Sequence, residues 1–290
     1  MDHDPANRKD PANRKDPADR GESGGRTPVD VGALEVLLED PPRSAVMVDF
    51  DGTLAPIVTD PASARAVPGA ARTLGGLSAS FGTVAVVSGR PGAFLARRLR
   101  SAGGAVRLFG LYGLEEVVGG EVRIDPRVEP WLPIVAAAKD AADRSVPEGV
   151  GIEDKKVSLT IHWRNAPGAA GWAIGFAESQ SDRVGLLHKF GRMSVELLPP
   201  VDSDKGTVVE RLAAGMHAAC FFGDDLGDLS AFDALDRLVG QGTAAVRVAV
   251  GDHESPVEIL AAADFVVDGP SAACRLLRAL AERAGSHGRL

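Results

Sequence analysis

The stretch AVMVDFDGT, residues 45–53, decides the fold. Four apolar residues are followed by two aspartates, Asp49 and Asp51, and then by Gly52. A short apolar run that ends in a turn signal is typical of a strand buried on both faces. Ligands of open parallel sheets bind beyond the carboxyl ends of the strands. The two carboxylates therefore predict a polar site at that edge, although an aspartate-glycine pair is also a common structural turn.

Apolar strand-like segments and helical segments alternate on both sides of this stretch. The strand-like segments are 82–87, 105–109, 218–222, 244–250 and 263–267, and the helical segments are 69–80, 91–100, 207–216, 229–238 and 271–283. Apolar strands separated by helices indicate a parallel sheet that is covered on both faces. The sequence therefore predicts an α/β protein with a Rossmann-like core.

The segment 113–198 has a different pattern. Residues 114–124 predict two strands around a Gly-Gly turn, and residues 157–164 alternate apolar with polar side chains, as an antiparallel strand with one wet face does. Further strands are expected at 184–189 and 193–198, with helices near 131–145 and 167–181. We expect an α+β domain at 113–198, inserted between core segments 29–112 and 199–290.

The first 28 residues repeat the hexapeptide DPANRK, contain few apolar side chains and carry no net charge. Such a segment cannot offset its ordering entropy by burial, so we expect a disordered tail at 1–28. The formal net charge of −8 thus belongs to the remaining residues. It argues against nucleic-acid binding through a dominant basic surface. A phosphorylated ligand stays compatible where a local site or a cation supplies positive charge.

Three features of the sequence indicate the cellular location of the protein: its cysteines, its apolar runs and its first residues. Cys220 and Cys274 both lie in apolar contexts and predict buried, reduced thiols. No apolar run reaches the roughly 18–20 residues that cross a bilayer, and the first residues lack the pattern of a signal peptide. We expect a cytoplasmic protein without a membrane association.

Three further polar motifs flank the predicted strands and helices: SGR at 88–90, Lys-Gly at 205–206 and GDDLGD at 223–228. Each alone also fits a helix cap or a solvent-facing charge. Together with the first motif, they gather carboxylates, a hydroxyl and an ammonium group at one sheet edge. Phosphate and Mg²⁺ bind to such groups, because Mg²⁺ prefers oxygen ligands. No Cys/His cluster indicates zinc.

The order of these motifs resembles that of the haloacid-dehalogenase-like (HAD) phosphatases, which implies a HAD core with an inserted α+β cap domain. The resemblance to trehalose-6-phosphate phosphatases is closer and covers about 45–285. It is carried by VDFDGTLAPI (48–57), VVSGR (86–90), GLYGLE (110–115), EDKKVSLTIHWR (153–164), KG (205–206) and GDDLGD (223–228).

The resemblance implies roles for the core motifs. Asp49 would be the nucleophile, and Asp51 would protonate the leaving sugar oxygen and then activate water. The phosphate would be held by Asp49, Ser88, Gly89, Arg90 and Lys205. The Mg²⁺ ligands would be Asp49, the Asp51 carbonyl and Asp224, supported by Asp225 or Asp228.

The resemblance also implies that the cap reads the sugar through Glu115, Glu153, Lys155 and Glu196, for each of which a solvated surface charge is the alternative. Strand parity leaves open whether the polar face of 157–164 is turned to the site, and we expect His162 to be structural. Two motifs depart from the family pattern: Tyr112 stands where histidine is usual, and in GDDLGDL Gly227 and Leu229 replace the threonine and the glutamate of GDDxTDE.

The implied function is hydrolysis of trehalose 6-phosphate to trehalose and phosphate through an aspartyl phosphate. The implied partners are a small-molecule sugar phosphate and, functionally, a trehalose-phosphate synthase. Two alternatives stay open: a phosphatase of another sugar phosphate, such as sucrose phosphate or a glycosyl phosphoglycerate, and a non-catalytic sugar-phosphate-binding partner of a synthase.

Overall fold

A computed structural model describes residues 31–191, 193–251 and 255–287. The tail expected at 1–28 lies outside the described residues. The strands are β1 (Ser44–Val48), β2 (Thr83–Val87), β3 (Arg107–Gly110), β4 (Glu115–Val118), β5 (Glu121–Ile124), β6 (Gly151–Asp154), β7 (Leu159–His162), β8 (Leu187–Gly191), β9 (Ser194–Leu198), β10 (Ala218–Gly223), β11 (Ala244–Val250) and β12 (Phe265–Val267). The α-helices are α1 (Val36–Glu39), α2 (Ala70–Leu77), α3 (Gly92–Arg98), α4 (Leu132–Ser145), α5 (Ala170–Val184), α6 (Lys205–Ala213), α7 (Leu229–Val239), α8 (Val257–Ala262) and α9 (Gly269–His287).

The larger sheet has eight strands in the order β12-β11-β10-β1-β2-β3-β4-β5. The strands from β12 to β3 pair in parallel, as the apolar runs predict. The side chains of Val46 and Val48 enter a hydrophobic cluster with α2 and α9 on one face. Those of Ala45 and Met47 enter a second cluster, with α6 and α7, on the other. The chain is therefore an α/β protein in which β1 lies in the middle of the sheet and is fully buried.

The smaller sheet has four antiparallel strands in the order β6-β7-β9-β8. Its apolar face, which includes Leu159 and Ile161, packs against α4 and α5. The opposite face was expected to be wet, and this is wrong for Ser158 and Thr160, which are 2% and 5% exposed, whereas His162 is half-buried and Arg164 is exposed. The Ser158 hydroxyl group donates a hydrogen bond to Glu196 of β9, and His162 lines the polar cavity described below.

The hairpin at 114–124 forms as predicted, but its strands belong to the larger sheet. β4 pairs antiparallel with β3, where Glu115 lies opposite Gly110, because only a four-residue turn separates the two strands. Strands joined by so short a connection pair with each other. The smaller sheet therefore begins only at Gly151, well after residue 113.

Three features of the fold depart from the sequence pattern. β6 and α8 were not predicted, and the strand expected at 184–189 begins only at Leu187, because α5 continues to Val184.

None of the helices within the described ranges has both the length and the apolar character that crossing a membrane requires.

Candidate active site

The carboxyl ends of β1, β2 and β10 meet at one edge of the larger sheet. The backbone N–H of Asp49 donates a hydrogen bond to the Phe222 carbonyl, and that of Ser88 donates to the Phe109 carbonyl. The parallel hydrogen-bonding pattern therefore continues one residue beyond the ends of β1 and β2. A cavity of about 270 Å³ opens there. Its polar lining comprises Asp49, Asp51, Ser88, Arg90, Tyr112, Lys205, Asp224 and Asp225 from the larger sheet and its loops, and Glu153, Lys155 and His162 from the smaller sheet.

Lys205 is buried and joins the two halves of the core. Its Nζ lies 2.8 Å from Asp49 Oδ1 and 2.6 Å from Asp228 Oδ1. The helix that it begins is capped by Asp204, whose side chain accepts a hydrogen bond from the Thr207 backbone. Burial alone would lower the pKa of Lys205, but Asp228 and Asp49 hold it well above its usual value. The lysine is therefore a fixed positive charge beside Asp49.

Three carboxylates, those of Asp49, Asp224 and Asp228, each place an oxygen within 4.8 Å of the others. Burial raises the pKa of Asp49 to about 8 and that of Asp224 to about 9, and it also raises the pKa of Asp228. The ammonium of Lys205 cannot neutralise three buried carboxylates, so protons are retained. Carboxylate oxygens are the donors that hard divalent cations prefer, and these residues fit such an ion.

Asp225 and Asp228 have different tasks. Asp228 is fully buried, and its Oδ2 accepts hydrogen bonds from the backbones of Asp224, at 2.9 Å, and Asp225, at 3.2 Å. The Asp225 carboxylate caps the following turn by accepting from Gly227 at 2.8 Å. Of the two, Asp228 lies with Asp49 and Asp224, while Asp225 lies on the cavity wall.

Gly52 allows the carboxylate of Asp224 to lie against the first motif. The glycine has φ of +77°, and a Cβ at this position would overlap the Asp224 carboxylate. Thr53 donates a hydrogen bond to Asp224 Oδ1 at 3.1 Å. The turn that follows β1 is therefore shaped to receive the acid that follows β10.

Arg90 contacts Asp51 by two hydrogen bonds, from Nε at 2.6 Å and from Nη2 at 2.7 Å. The resemblance had placed Arg90 on the phosphate. Its guanidinium also lies over the ring of Phe94, 4.8 Å from the centroid, and this ring meets Phe50 edge-on. Arg90 lines the cavity, but in this conformation both of its hydrogen bonds to a side chain go to Asp51.

Ser88 is 1% exposed, and its hydroxyl oxygen accepts a hydrogen bond from the Arg90 backbone at 3.2 Å. The residue therefore closes the turn between β2 and α3 and also presents its hydroxyl group to the cavity. The helix-cap interpretation of Ser88 was wrong, because Pro91 is the N-cap of α3 and no side chain caps this helix. The phosphate-site interpretation stays a prediction.

Two of the four expected sugar contacts line the cavity: Glu153 and Lys155. Lys155 is held by Glu196, whose Oε1 lies 3.0 Å from Nζ and also accepts from Ser158 at 2.6 Å. Glu153 contacts His162 Nε2 at 3.1 Å, and this bond lowers the pKa of Glu153. His162 itself lines the cavity.

Glu115 lies apart from the cavity lining. It is 6% exposed, and its Oε2 accepts a hydrogen bond from the backbone of Gly92 at 2.6 Å, at the start of α3. Burial raises the pKa of Glu115, and that hydrogen bond partly opposes the shift. The resemblance had assigned Glu115 to the sugar, but pairing of β4 with β3 directs it to a helix end.

Tyr112 lines the cavity, although the sequence marked it only as a departure from a family pattern. Its ring lies against Gly89, where a Cβ would come within 2.8 Å of the tyrosine Cζ and Oη. Burial raises the pKa of Tyr112 to about 12, and the nearby Glu196 adds to this. The phenol is therefore neutral.

Comparisons with known proteins identify the family of the chain. The sequence model of a family described as trehalose-phosphatase matches residues 47–264. A trehalose-phosphate phosphatase of Mycobacterium leprae is 34% identical over 245 residues, which cover 79% of this chain and 55% of that protein. The chain spans less than two thirds of the length of the curated relatives it matches: 64% of a trehalose-phosphate phosphatase of Mycobacterium ulcerans, and 18% of an uncharacterized glycosyl hydrolase of Mycobacterium tuberculosis.

Solved structures share the fold. The crystal structure of a trehalose-6-phosphate phosphatase related protein superposes with a TM-score of 0.70 at 21% identity, covering 84% of this chain and 99% of its own. A haloacid dehalogenase-like hydrolase from Bacteroides thetaiotaomicron superposes with a TM-score of 0.58 at 16% identity, covering 82% of this chain and 99% of its own. The fold is thus that of HAD-like hydrolases.

Proposed function

Because the chain belongs to the trehalose-phosphatase family, we propose that it hydrolyses trehalose 6-phosphate to trehalose and phosphate. The observation that carries this proposal is the composition of one cavity. Asp49, Asp51, Ser88 and Lys205 line its floor, and Glu153 and Lys155 extend into it from the smaller sheet. The floor suits phosphoryl transfer, and the roof suits a polyhydroxylated ligand.

In the proposed reaction, an oxygen of Asp49 attacks phosphorus, and the bond to the sugar oxygen breaks. Asp51 gives its proton to that oxygen, so that trehalose leaves and an aspartyl phosphate remains. Asp51 then takes a proton from water, which attacks phosphorus and restores the Asp49 carboxylate. Lys205 and the Ser88 hydroxyl stabilise the charge on the phosphoryl oxygens throughout.

We propose that Mg²⁺ is the cation held by this site. Asp49, Asp224 and Asp228 would hold it, together with the backbone carbonyl of Asp51, and Asp225 would support the loop that carries two of these acids. A divalent cation supplies the positive charge that lets one anion approach another. An acidic protein can thus bind an acidic ligand, because the cation and Lys205 supply positive charge locally.

The smaller sheet acts as the cap in this proposal. Glu153 and Lys155 would hydrogen-bond sugar hydroxyls directly, while Glu196 positions Lys155. Glu115 takes no part in sugar binding, because it holds the start of α3. An enzyme that makes trehalose 6-phosphate would supply the substrate, which is the functional link to a synthase that the resemblance implies.

The test is phosphate release from a panel of trehalose 6-phosphate, sucrose 6-phosphate, glucosylphosphoglycerate and glucose 6-phosphate. We expect the highest kcat/KM with trehalose 6-phosphate, loss of turnover with EDTA, and recovery with Mg²⁺. Equal turnover of all four esters would contradict the proposed substrate. Binding without any turnover would favour the non-catalytic alternative. Asp49→Asn should abolish turnover, while Asp143→Asn, at an exposed helix position, is the matched control.

A further inference from the structure

We propose that Tyr112 is a specificity-determining residue, whose hydroxyl group hydrogen-bonds a hydroxyl of the phosphorylated sugar ring. The proposal rests on the proposed function and adds to it a contact from the floor of the cavity, where the sequence departs from the family pattern. Four observations support it: the backbone at Tyr112, the packing of its ring, the position of the cap above it and the environment of its hydroxyl group.

The backbone of Tyr112 is strained and firmly held. Leu111 and Tyr112 have φ of +48° and +59°, in the left-handed region that side chains other than glycine seldom adopt. Tyr112 donates a backbone hydrogen bond to Ser88, at 3.0 Å, and its carbonyl accepts one from Ser203 Oγ, at 2.8 Å. Residues in sparsely populated backbone conformations cluster at functional sites. The side chain of Tyr112 packs on the turn at 88–90, where its ring contacts Gly89.

The ring of Tyr112 lies between the floor and the roof of the cavity. On the floor it contacts Gly89, the residue after Ser88, so closely that no side chain fits there. From the roof, Lys189 Nζ lies 5.3 Å from the ring centroid, within the range of a cation–π contact. The ring is therefore fixed by contacts from both sheets.

Strand register in the smaller sheet shows which cap face lies above the tyrosine. Directly opposed residues of antiparallel strands share one face. One such row crosses all four strands: Glu153, Thr160, Glu196 and Lys189. Its first member lines the cavity and its last contacts the Tyr112 ring. Tyr112 therefore lies on the side of the turn at 88–90 that the cap covers, which is where the sugar of the proposed substrate has to lie.

The hydroxyl group of Tyr112 is available to a ligand. No group within the described ranges forms a hydrogen bond with its Oη, although the residue is half-buried and lines the cavity. Burial raises the pKa of Tyr112, and Glu196 adds to this while Lys205 opposes it, so the phenol keeps its proton. A phenol can both donate and accept a hydrogen bond, whereas the surrounding carboxylates accept when ionised. A sugar hydroxyl is the ligand group that matches both capacities.

The test compares wild type, Tyr112→Phe and Tyr112→His with two substrates, trehalose 6-phosphate and p-nitrophenyl phosphate. Phenylalanine keeps the ring contacts with Gly89 and Lys189 and removes only the hydroxyl group. We expect the ratio of kcat/KM for trehalose 6-phosphate to kcat/KM for p-nitrophenyl phosphate to fall by about tenfold or more in Tyr112→Phe. The reason is that a site that hydrogen-bonds a substrate hydroxyl group loses discrimination when the protein's hydrogen-bonding group is removed. Thermal unfolding and circular dichroism verify the fold of each variant.

Two results would overturn the proposal. Equal losses of kcat/KM with both substrates would show that Tyr112 contacts the phosphoryl group or has a structural role. Unchanged kcat/KM values in Tyr112→Phe would show that the hydroxyl group does not contact the sugar. Retention of the wild-type ratio by Tyr112→His, with loss in Tyr112→Phe, would support hydrogen bonding by the side chain. Failure of the proposed function is distinguishable, because it appears in the wild-type protein as turnover of p-nitrophenyl phosphate without preference for trehalose 6-phosphate.

Discussion

Arg90 holds both carboxylate oxygens of Asp51, through Nε at 2.6 Å and Nη2 at 2.7 Å. Arg90, two residues after Ser88, thus orients the proposed acid, and one of these two hydrogen bonds has to break before Asp51 donates a proton to the leaving sugar oxygen. The guanidinium is itself supported from below by the ring of Phe94. A planar group that is stacked and bound at two points is poorly replaced by a flexible ammonium group.

Arg90→Lys should therefore lower kcat/KM for trehalose 6-phosphate by about 10- to 100-fold, since hydrogen bonds to charged groups contribute about 1.5–3 kcal/mol. Steady-state phosphate release measures the effect. The matched control is Arg97→Lys, because Arg97 also lies near the Phe94 ring, at 5.7 Å, without lining the cavity. Equal activities of the two variants would show that the two-point contact has no catalytic value.

The buried carboxylates predict how the stability of the metal-free protein depends on pH. The folded-state pKa is about 8 for Asp49 and about 9 for Asp224, against 3.8 for an ordinary aspartate. Above pH 4 the folded protein holds protons that the unfolded chain releases. The free energy of unfolding should therefore fall as pH rises from about 5 to 9.

Thermal denaturation in EDTA, measured across that pH range, checks this prediction. Asp224→Asn should flatten the pH dependence, and Mg²⁺ should raise the Tm more at pH 9 than at pH 5, because the cation replaces the protons. Asp143→Asn, at an exposed position, should leave the profile as in wild type. A Tm that stays constant or rises over this range would refute the coupling.

We expect substitutions of Glu196 and Glu115 to have different effects on KM, although the family resemblance assigned both residues to sugar binding. Glu196→Gln removes the charge that holds Lys155, so KM for trehalose 6-phosphate should rise by about tenfold, as expected for one charged hydrogen bond. Glu115→Gln should leave KM within twofold of wild type. Initial-rate kinetics of both variants, prepared in parallel, separate the two roles.

Glu115→Ala should act on stability instead. It leaves the Gly92 backbone donor without its partner and should lower the free energy of unfolding by about 1–3 kcal/mol. Urea denaturation monitors the change. A rise in KM of Glu115→Ala larger than that of Glu196→Gln would show that Glu115 contributes to sugar binding.

Two glycines with similar positive φ make a matched pair. Gly52 has φ of +77° and Gly215 has φ of +73°, but only Gly52 faces the Asp224 carboxylate, whereas Gly215 faces open space. Both Gly→Ala variants should be destabilised by about 1 kcal/mol through backbone strain. Gly52→Ala should additionally lose Mg²⁺ affinity and at least about 10-fold in activity, because the carboxylate must move from its position. Equal Mg²⁺ affinities in titration calorimetry would contradict this.

The sequence was sufficient to predict the strands that carry the site. Residues 45–48, 84–87 and 218–222 are apolar without interruption, as is typical of buried parallel strands. Polar residues directly after such strands have to meet at one edge. Prediction was most accurate where burial and local pattern agree.

Other features depend on contacts between distant parts of the chain. No local pattern shows that the hairpin at 114–124 joins β3, and this pairing is what turns Glu115 toward Gly92. β6, with the sequence GIED, is too short and polar for a recognisable strand pattern. The partner of Arg90 could not be predicted either, because phosphate and carboxylate present similar oxygens to a guanidinium group.

The central position of β1 has a consequence for how the protein is made. Ser44 pairs with Ala218, and Thr53 bonds to Asp224 across 171 positions of chain. During synthesis the ribosome therefore delivers β1, the strand before Asp49, long before its neighbour β10, and the whole smaller sheet is translated in between. Non-local parallel pairing of this kind closes slowly. The floor of the cavity is thus assembled among the last parts of the nascent chain, so a truncated product ending before β10 contains Asp49 but not Asp224 or Asp228.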